Sequence, residues 1–210
     1  MPCFSKREVP TVSRNAIRRK VQAEAKSPLS IFKRVAISPS NSIIINTIGK
    51  NIAPTSTDGY GIVQALHTNG IHIRGAKLWI IGAGGAAKEA VRQLSSMDCT
   101  MRVINRTLSK VQQIAQDYPL NVVDKLENPV GVLSFVPECD WEQSLPLPDS
   151  AQFVFVAAYR GQSGLKDKAH KKGIKVVEGL EMLYHQGAKS FALWTNTETQ
   201  NNYKSFLEVL

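Results

Sequence analysis

Six consecutive residues, Gly82-Ala83-Gly84-Gly85-Ala86-Ala87, carry the clearest chemical signal in the chain, because they fit the pattern G-x-G-x-x-[G/A]. Each position has a task in cradling a pyrophosphate. Gly82 permits a tight turn, Gly84 lets the backbone approach the anion, and the small Ala87 lets a helix pack closely on its strand. The helix N-terminus then turns unpaired N–H groups and the positive end of its dipole toward the same anion. Glycine-rich turns also serve packing alone, so the pattern has meaning only between a strand and a helix. Both flanks are present: Leu78-Trp79-Ile80-Ile81 reads as a buried strand, and Gly85 to Met97 carries Ala86, Ala90, Val91 and Leu94 at helical spacing.

The next strand, Met101 to Ile104, ends in Asn105-Arg106-Thr107, the place where an NAD site presents an acid to the ribose 2′-hydroxyl. No acid stands there. Arg106 can instead grip a 2′-phosphate with two parallel hydrogen bonds, Thr107 can donate a hydroxyl, and Lys110 adds charge one helical turn on. The expected cofactor is therefore NADP. The alternative for Arg106 is an ordinary solvated loop arginine.

These residues need a scaffold, and the sequence supplies one by alternating short β-branched runs with helical stretches, the signature of βαβ units and a parallel sheet. The fold class expected is α/β, a doubly wound, Rossmann-like sheet. A helix is expected over Leu108 to about Asp117, with strands at Val130 to Phe135, Phe153 to Ala158 and Lys175 to Val177. Turns are expected at Asp149-Ser150 and Lys172-Gly173. Leu180, Leu183, Gly187, Phe191 and Trp194 form a stripe on a late helix, and Thr197 to Leu210 reads as one more. The organisation expected is a basic leader or remnant of a smaller domain over 1–45, the dinucleotide-binding domain over 46–195, and a C-terminal helix over 196–210.

The chain has 210 residues and a net charge of +9, which would suggest nucleic acid if the charge lay on the folded domain. It does not. Residues 1–50 hold ten Lys/Arg against two acids, a net of +8, which leaves +1 for everything after them. That basic end lacks aromatic interleaving and a reading helix, so no nucleic-acid partner is expected. It allows a short helix around Arg14 to Ala25, and two origins remain open: an arginine-rich organelle transit peptide, or the remnant of a larger domain. No apolar run approaches the roughly 20 residues that cross a bilayer. Cys3, Cys99 and Cys139 show no metal-type spacing, so neither a zinc site nor a disulfide framework is expected and a cytoplasmic, reducing setting fits best.

Six motifs in order resemble the shikimate and quinate dehydrogenases. Asn46-Thr47 is similar to the family's A-x-N-T, and Ser56-Thr57-Asp58-Gly59 to its N-T-D-G. The Gly82 to Ala86 loop resembles its G-A-G-G-A, Asn105-Arg106-Thr107 its N-R-T, and Ser134-Phe135-Val136-Pro137 its S-T-x-P. The stretch from Glu178-Gly179-Leu180 through Gln186-Gly187-Ala188 to Trp194 resembles its closing element. The resemblance implies reversible hydride transfer between NADPH and 3-dehydroshikimate, giving shikimate, with quinate as the related substrate. It implies a catalytic role for Asp58, in polarising a lysine and binding a substrate hydroxyl. A helix cap is the other reading of that aspartate. The resemblance further implies substrate contacts from Asn46, Tyr159 and Gln186, and nicotinamide contacts from Gly179 and Met182.

The family's V-T-x-P-x-K lysine has a partial counterpart in Lys26, which keeps the spacing from Val21 but not the proline. A solvated lysine is its other reading. Hence a second function stands beside the dehydrogenase, that of a catalytically silent relative retained as an NADP- or ligand-binding regulatory module. Oligomeric state is not legible.

Overall fold

A computed structural model describes residues 42–46, 51–137, 140–158 and 163–195 together with Tyr203, and describes side chains from Thr55 onward except at Asp140, Trp194 and Thr195. The chain divides between Ser38 and Pro39 into two units, and every described residue belongs to the second. Lys26, the expected helix over Arg14 to Ala25, Tyr159 and all of the expected C-terminal helix but Tyr203 lie outside the described residues.

Strand β1 (Ser42–Asn46) pairs antiparallel with β2 (Asn51–Thr55), a hairpin that is not among the expected elements. The β-branched run Ile43-Ile44-Ile45 favours extended backbone. Pro54, which has no N–H to give, stands opposite Ile43, and each strand of a two-stranded sheet keeps an edge where that is tolerated. The boundary expected after residue 45 thus falls inside β1.

The elements that follow alternate between helix and strand: α1 (Asp58–Thr68), β3 (Lys77–Ile81), α2 (Gly85–Ser95), β4 (Thr100–Ile104), α3 (Leu108–Asp117), β5 (Gly131–Ser134), α4 (Asp140–Ser144), β6 (Phe153–Val156), α5 (Gly164–Lys171), β7 (Lys175–Glu178) and α6 (Gly179–Thr195), of which α4 and α5 are not among the expected elements. Strands β3 to β7 form one parallel sheet in the order β4-β3-β5-β6-β7. On the outer side of β4, Val122 makes a single parallel bridge to Met101. With that bridge counted, the order is that of the dinucleotide-binding sheet, its third strand reduced to one residue.

Alternation along the strands divides the core into two layers. Leu78, Ile80, Leu133, Phe155 and Val177 meet Ile62, Leu66, Ala90, Leu94 and Met182 of the helices on one face. Ile81, Val132, Val154 and Val156 meet Leu165 and Ala169 of α5 on the other. Strands β5 and β6 are buried at every residue, as a parallel sheet covered on both sides requires. Each fully buried Leu, Ile or Phe contributes about 1.5–3 kcal/mol.

One expectation needs correction. On α6 the buried residues include Met182, His185 and Ser190, whereas Leu180 and Leu183 are only half-buried and Phe191 is 52% exposed. The cause is close packing on α1. A Cβ on Gly61 would stand 2.7 Å from the Met182 carbonyl oxygen and 2.9 Å from Gln186 Cβ, so α1 meets the more polar face of α6. Gly59 performs the same service toward α2, where a Cβ would stand 3.1 Å from the Glu89 carbonyl oxygen.

Candidate functional site

Parallel pairing sets the C-terminal ends of all five strands along one edge, and the chain's connections diverge between β3 and β5, where such folds form a crevice. Gly82 opens that crevice. Its φ of +110° is a conformation that side-chain-bearing residues avoid, and a Cβ there would lie 3.2 Å from Val136 Cγ1. Its N–H donates to the Ile104 carbonyl at 2.8 Å, tying the loop to the end of β4.

Gly84 is a glycine for another reason. Its φ of −83° and ψ of −172° suit any residue, and a Cβ there would meet nothing within 4 Å. It occupies the N-cap position of α2 without a side-chain cap, and the first turn of α2 carries no acid. Gly84 and Gly85 are exposed while Ala83 and Ala87 are buried. Exposed N–H groups at a helix N-terminus, with a space that a Cβ would fill, fit a pyrophosphate.

Because Ile81 and Ile104 are paired in register, the turn after β4 lies beside this cradle. Asn105 is half-buried, and its Nδ2 donates to the Thr107 carbonyl at 3.2 Å, which braces the turn. Arg106, Thr107 and Lys110 are exposed, and among the described residues neither Arg106 nor Lys110 forms an ion pair. Thr107 is the N-cap residue of α3, without a side-chain cap bond, and again no acid stands in the first turn. A second acid-free helix start, with two available cations, therefore adjoins the first.

At the start of α1, Thr57 takes the N-cap position and Asp58 is the first helical residue, half-buried, its N–H donating to Ser56 Oγ at 3.3 Å. Asp58 is thus not the cap residue. A carboxylate in the first turn is favoured by the helix dipole. The Thr57 hydroxyl, 2% exposed, donates to Gln186 Oε1 at 3.4 Å and lies 2.9 Å from Ser190 Oγ. Asp58 of α1 and Gln186 of α6 are thereby brought to one end of the helix pair. Met182 lies one turn before Gln186 and is 9% exposed.

Gly179 joins β7 to α6, and a Cβ on it would stand 2.0 Å from the Ala157 carbonyl oxygen, so no side chain fits between this junction and the end of β6. The next residue but one after Ala157 is Tyr159, outside the described residues. Asn46 ends β1 opposite Asn51, and its side chain is likewise outside them. Arg106 and Gly179 stand beyond opposite ends of the edge, four strand spacings or about 19 Å apart at ~4.8 Å each.

Several polar residues escaped the sequence reading. Ser190 follows Gln186 by four residues, a spacing that places the two on one helix face. His185 is 7% exposed, and burial pushes its imidazole below the ordinary value. Glu142 is 1% exposed and accepts a hydrogen bond from Ser163 Oγ at 2.8 Å. Neither residue carries a sequence signal that would have set it apart. Among the described residues no cluster of three or more His, Cys, Asp or Glu could hold a metal, and no helix is long and apolar enough to cross a membrane.

The model of the shikimate / quinate 5-dehydrogenase family matches residues 64–133, and that of the shikimate 5′-dehydrogenase C-terminal domain matches residues 179–198. The shikimate dehydrogenase (NADP(+)) of Archaeoglobus fulgidus is 33% identical over 172 residues, covering 74% of this chain and 61% of the relative. That of Methanosarcina acetivorans is 30% identical over 196 residues, covering 83% and 70%. The shikimate 5-dehydrogenase of Thermus thermophilus, solved in complex with NADP(H) and shikimate, superposes with a TM-score of 0.63 at 26% identity, over 72% of this chain and 60% of that one. The chain thus spans about three-fifths of the first curated relative and of this solved enzyme.

Proposed function

The chain belongs to the shikimate dehydrogenase family, and we propose that it interconverts 3-dehydroshikimate and shikimate with NADP as redox partner. The observation that carries the reading is the acid-free turn bearing Arg106 and Lys110 beside the Gly82–Ala87 cradle. That pairing favours a 2′-phosphate at one end of the edge and a pyrophosphate next to it.

NADPH, when bound, supplies a hydride from nicotinamide C4. The chain's own residues do the rest. The N–H groups of the Gly82–Ala86 loop hold the pyrophosphate, and Arg106, Thr107 and Lys110 hold the 2′-phosphate. Gly179 keeps β7 and α6 tight enough for the nicotinamide to lie against Met182. Asn46, Tyr159 and Gln186 bind ring hydroxyls, since the two amides and the phenol hydroxyl each offer both a donor and an acceptor. Asp58 binds a substrate hydroxyl and polarises the group that protonates the new alkoxide. Quinate is the second substrate to test, because it carries an extra hydroxyl.

The purified chain should bind NADPH more tightly than NADH and reduce NADP+ when shikimate is added. Asp58→Asn should lower that rate by about 10²–10⁴ while leaving the melting temperature nearly unchanged. Tight NADP binding without turnover of shikimate or quinate would instead favour the silent regulatory relative. Equal affinity for NADPH and NADH would remove the role given to Arg106.

A further inference from the structure

Where α1 ends beside the first turns of α6, Thr68, Asn69, Glu181, His185 and Tyr203 line an open pocket of about 350 Å³. That volume falls in the range of small-molecule sites. The pocket lies at the far end of α1 from Thr57: the helix spans 11 residues, or roughly 16 Å at ~1.5 Å each. Bonds already made around it fix what remains for a ligand. Asn69 Nδ2 gives its two protons to the Ala65 carbonyl at 2.9 Å and to Glu181 Oε2 at 2.7 Å. Both partners can only accept, so the amide oxygen is left as an acceptor. The single Thr68 hydroxyl proton is shared among the Gln64 and Ala65 carbonyls and Glu181 Oε2, at 3.0, 3.1 and 3.4 Å, which leaves its lone pairs. Both contacts to Glu181 reach Oε2, and among the described residues Oε1 has no partner. His185 is 7% exposed and, among the described residues, its imidazole forms no hydrogen bond. Burial favours its neutral form, in which one ring nitrogen accepts.

We propose that this pocket binds a small organic cation rich in N–H donors, a primary ammonium compound. Its described lining offers a carboxylate and several acceptors, and no lysine or arginine stands among them. Lys175, which approaches from β7, is committed to the Asn69 carbonyl oxygen. The C-terminal end of α1 turns the negative end of its dipole toward the same place. Tyr203, its ring centroid 5.4 Å from that of Tyr184, adds an aromatic face on which an ammonium group can rest. Glu181 and His185, four residues apart, share one row of α6, so the carboxylate and the imidazole serve the ligand together. A metal ion would leave most of the volume unfilled, and the described residues hold no group of three metal-ligating side chains. The inference is independent of the dehydrogenase reading.

Titration of the full chain with ethanolammonium chloride at neutral pH tests the proposal, read by the ring-proton resonances of His185 in NMR spectra and compared with sodium chloride at equal ionic strength. The His185 resonances, assigned by their loss in His185→Gln, should move to saturation with a Kd of about 1 mM, within reach of a ligand of so few atoms. Tetramethylammonium, which has the charge without the N–H donors, should bind at least tenfold more weakly. Glu181→Gln should weaken ethanolammonium by about tenfold or more, the loss of a charge-assisted hydrogen bond. Thr68→Val, at an exposed position, should keep the fold if Glu181→Gln does not and weaken the probe by about threefold. No saturable movement of the His185 resonances in the parent chain would overturn the proposal. So would equal binding of tetramethylammonium, or an affinity that neither variant changes.

Discussion

The cradle between β3 and α2 and the junction between α1 and α6 solve recognition in opposite ways. The cradle is contiguous in sequence, is exposed at Gly84 and Gly85, and offers backbone N–H groups, so its side chains matter mostly by being absent. The junction is assembled from residues 129 and 133 positions apart, is buried at Thr57 and Ser190 and half-buried at Gln186, and presents side-chain hydroxyls and an amide. A backbone cradle suits any pyrophosphate, whereas hydroxyls and an amide brought together by packing suit a particular arrangement of polar groups. On the proposed reading, the cofactor end is specified by a few local rules and the substrate end by tertiary packing.

The sharpest break in this comparison is at Gly179, where the cofactor edge and α6 meet. Gly179→Ala drives a Cβ onto the Ala157 carbonyl and should cost about 3 kcal/mol in unfolding free energy, measured by denaturant titration. Arg106→Ala should come next, weakening NADP by about 2 kcal/mol in calorimetry while sparing NAD, because on the proposed reading the guanidinium would meet only the 2′-phosphate. Gly84→Ala separates ligand from fold within the cradle itself. The fold should tolerate it, since φ and space both permit a Cβ, and NADP should bind roughly tenfold more weakly, about 1.4 kcal/mol. A drop in melting temperature with NADP affinity intact would reverse the assignment of that glycine.

The smallest effect belongs to the α6 side and is read by pH. Burial holds the His185 imidazole below its ordinary 6.5. Below pH 6.5 the unfolded chain takes up a proton that the folded chain refuses, so this contribution to stability is whole above that pH and declines on acidification toward the folded pKa. His185→Phe should flatten that part of the stability profile. An unchanged slope would mean that the imidazole takes up its proton as readily in the fold as out of it.

The two regions were also unequally legible. Gly82, Gly84 and Ala87 announce themselves because one loop must satisfy turn, anion and packing together, and Arg106 because an acid is missing where one cofactor needs it. Helix α3 was readable from Leu108 to about Asp117, since it sits between a strand end and a turn. The α6 stripe misled, because hydrophobic spacing marks a buried face only when the partner is apolar and at ordinary distance. Here Gly61 lets α1 come close enough to enclose Ser190 and half-bury Gln186. The hairpin of β1 and β2 was obscured by its basic surroundings, although Ile43-Ile44-Ile45 carried the propensity. Asp58 and Gln186 were legible only through resemblance, since nothing local to either residue indicates the other.

Gly59 and Gly61 have a mechanical consequence. One lets α1 touch the helix that begins at the cradle, the other lets it touch the helix that carries Gln186. A side chain at either position would wedge α1 away from one of these helices, so the two glycines set how near the cradle helix and the Gln186 helix lie to their common neighbour.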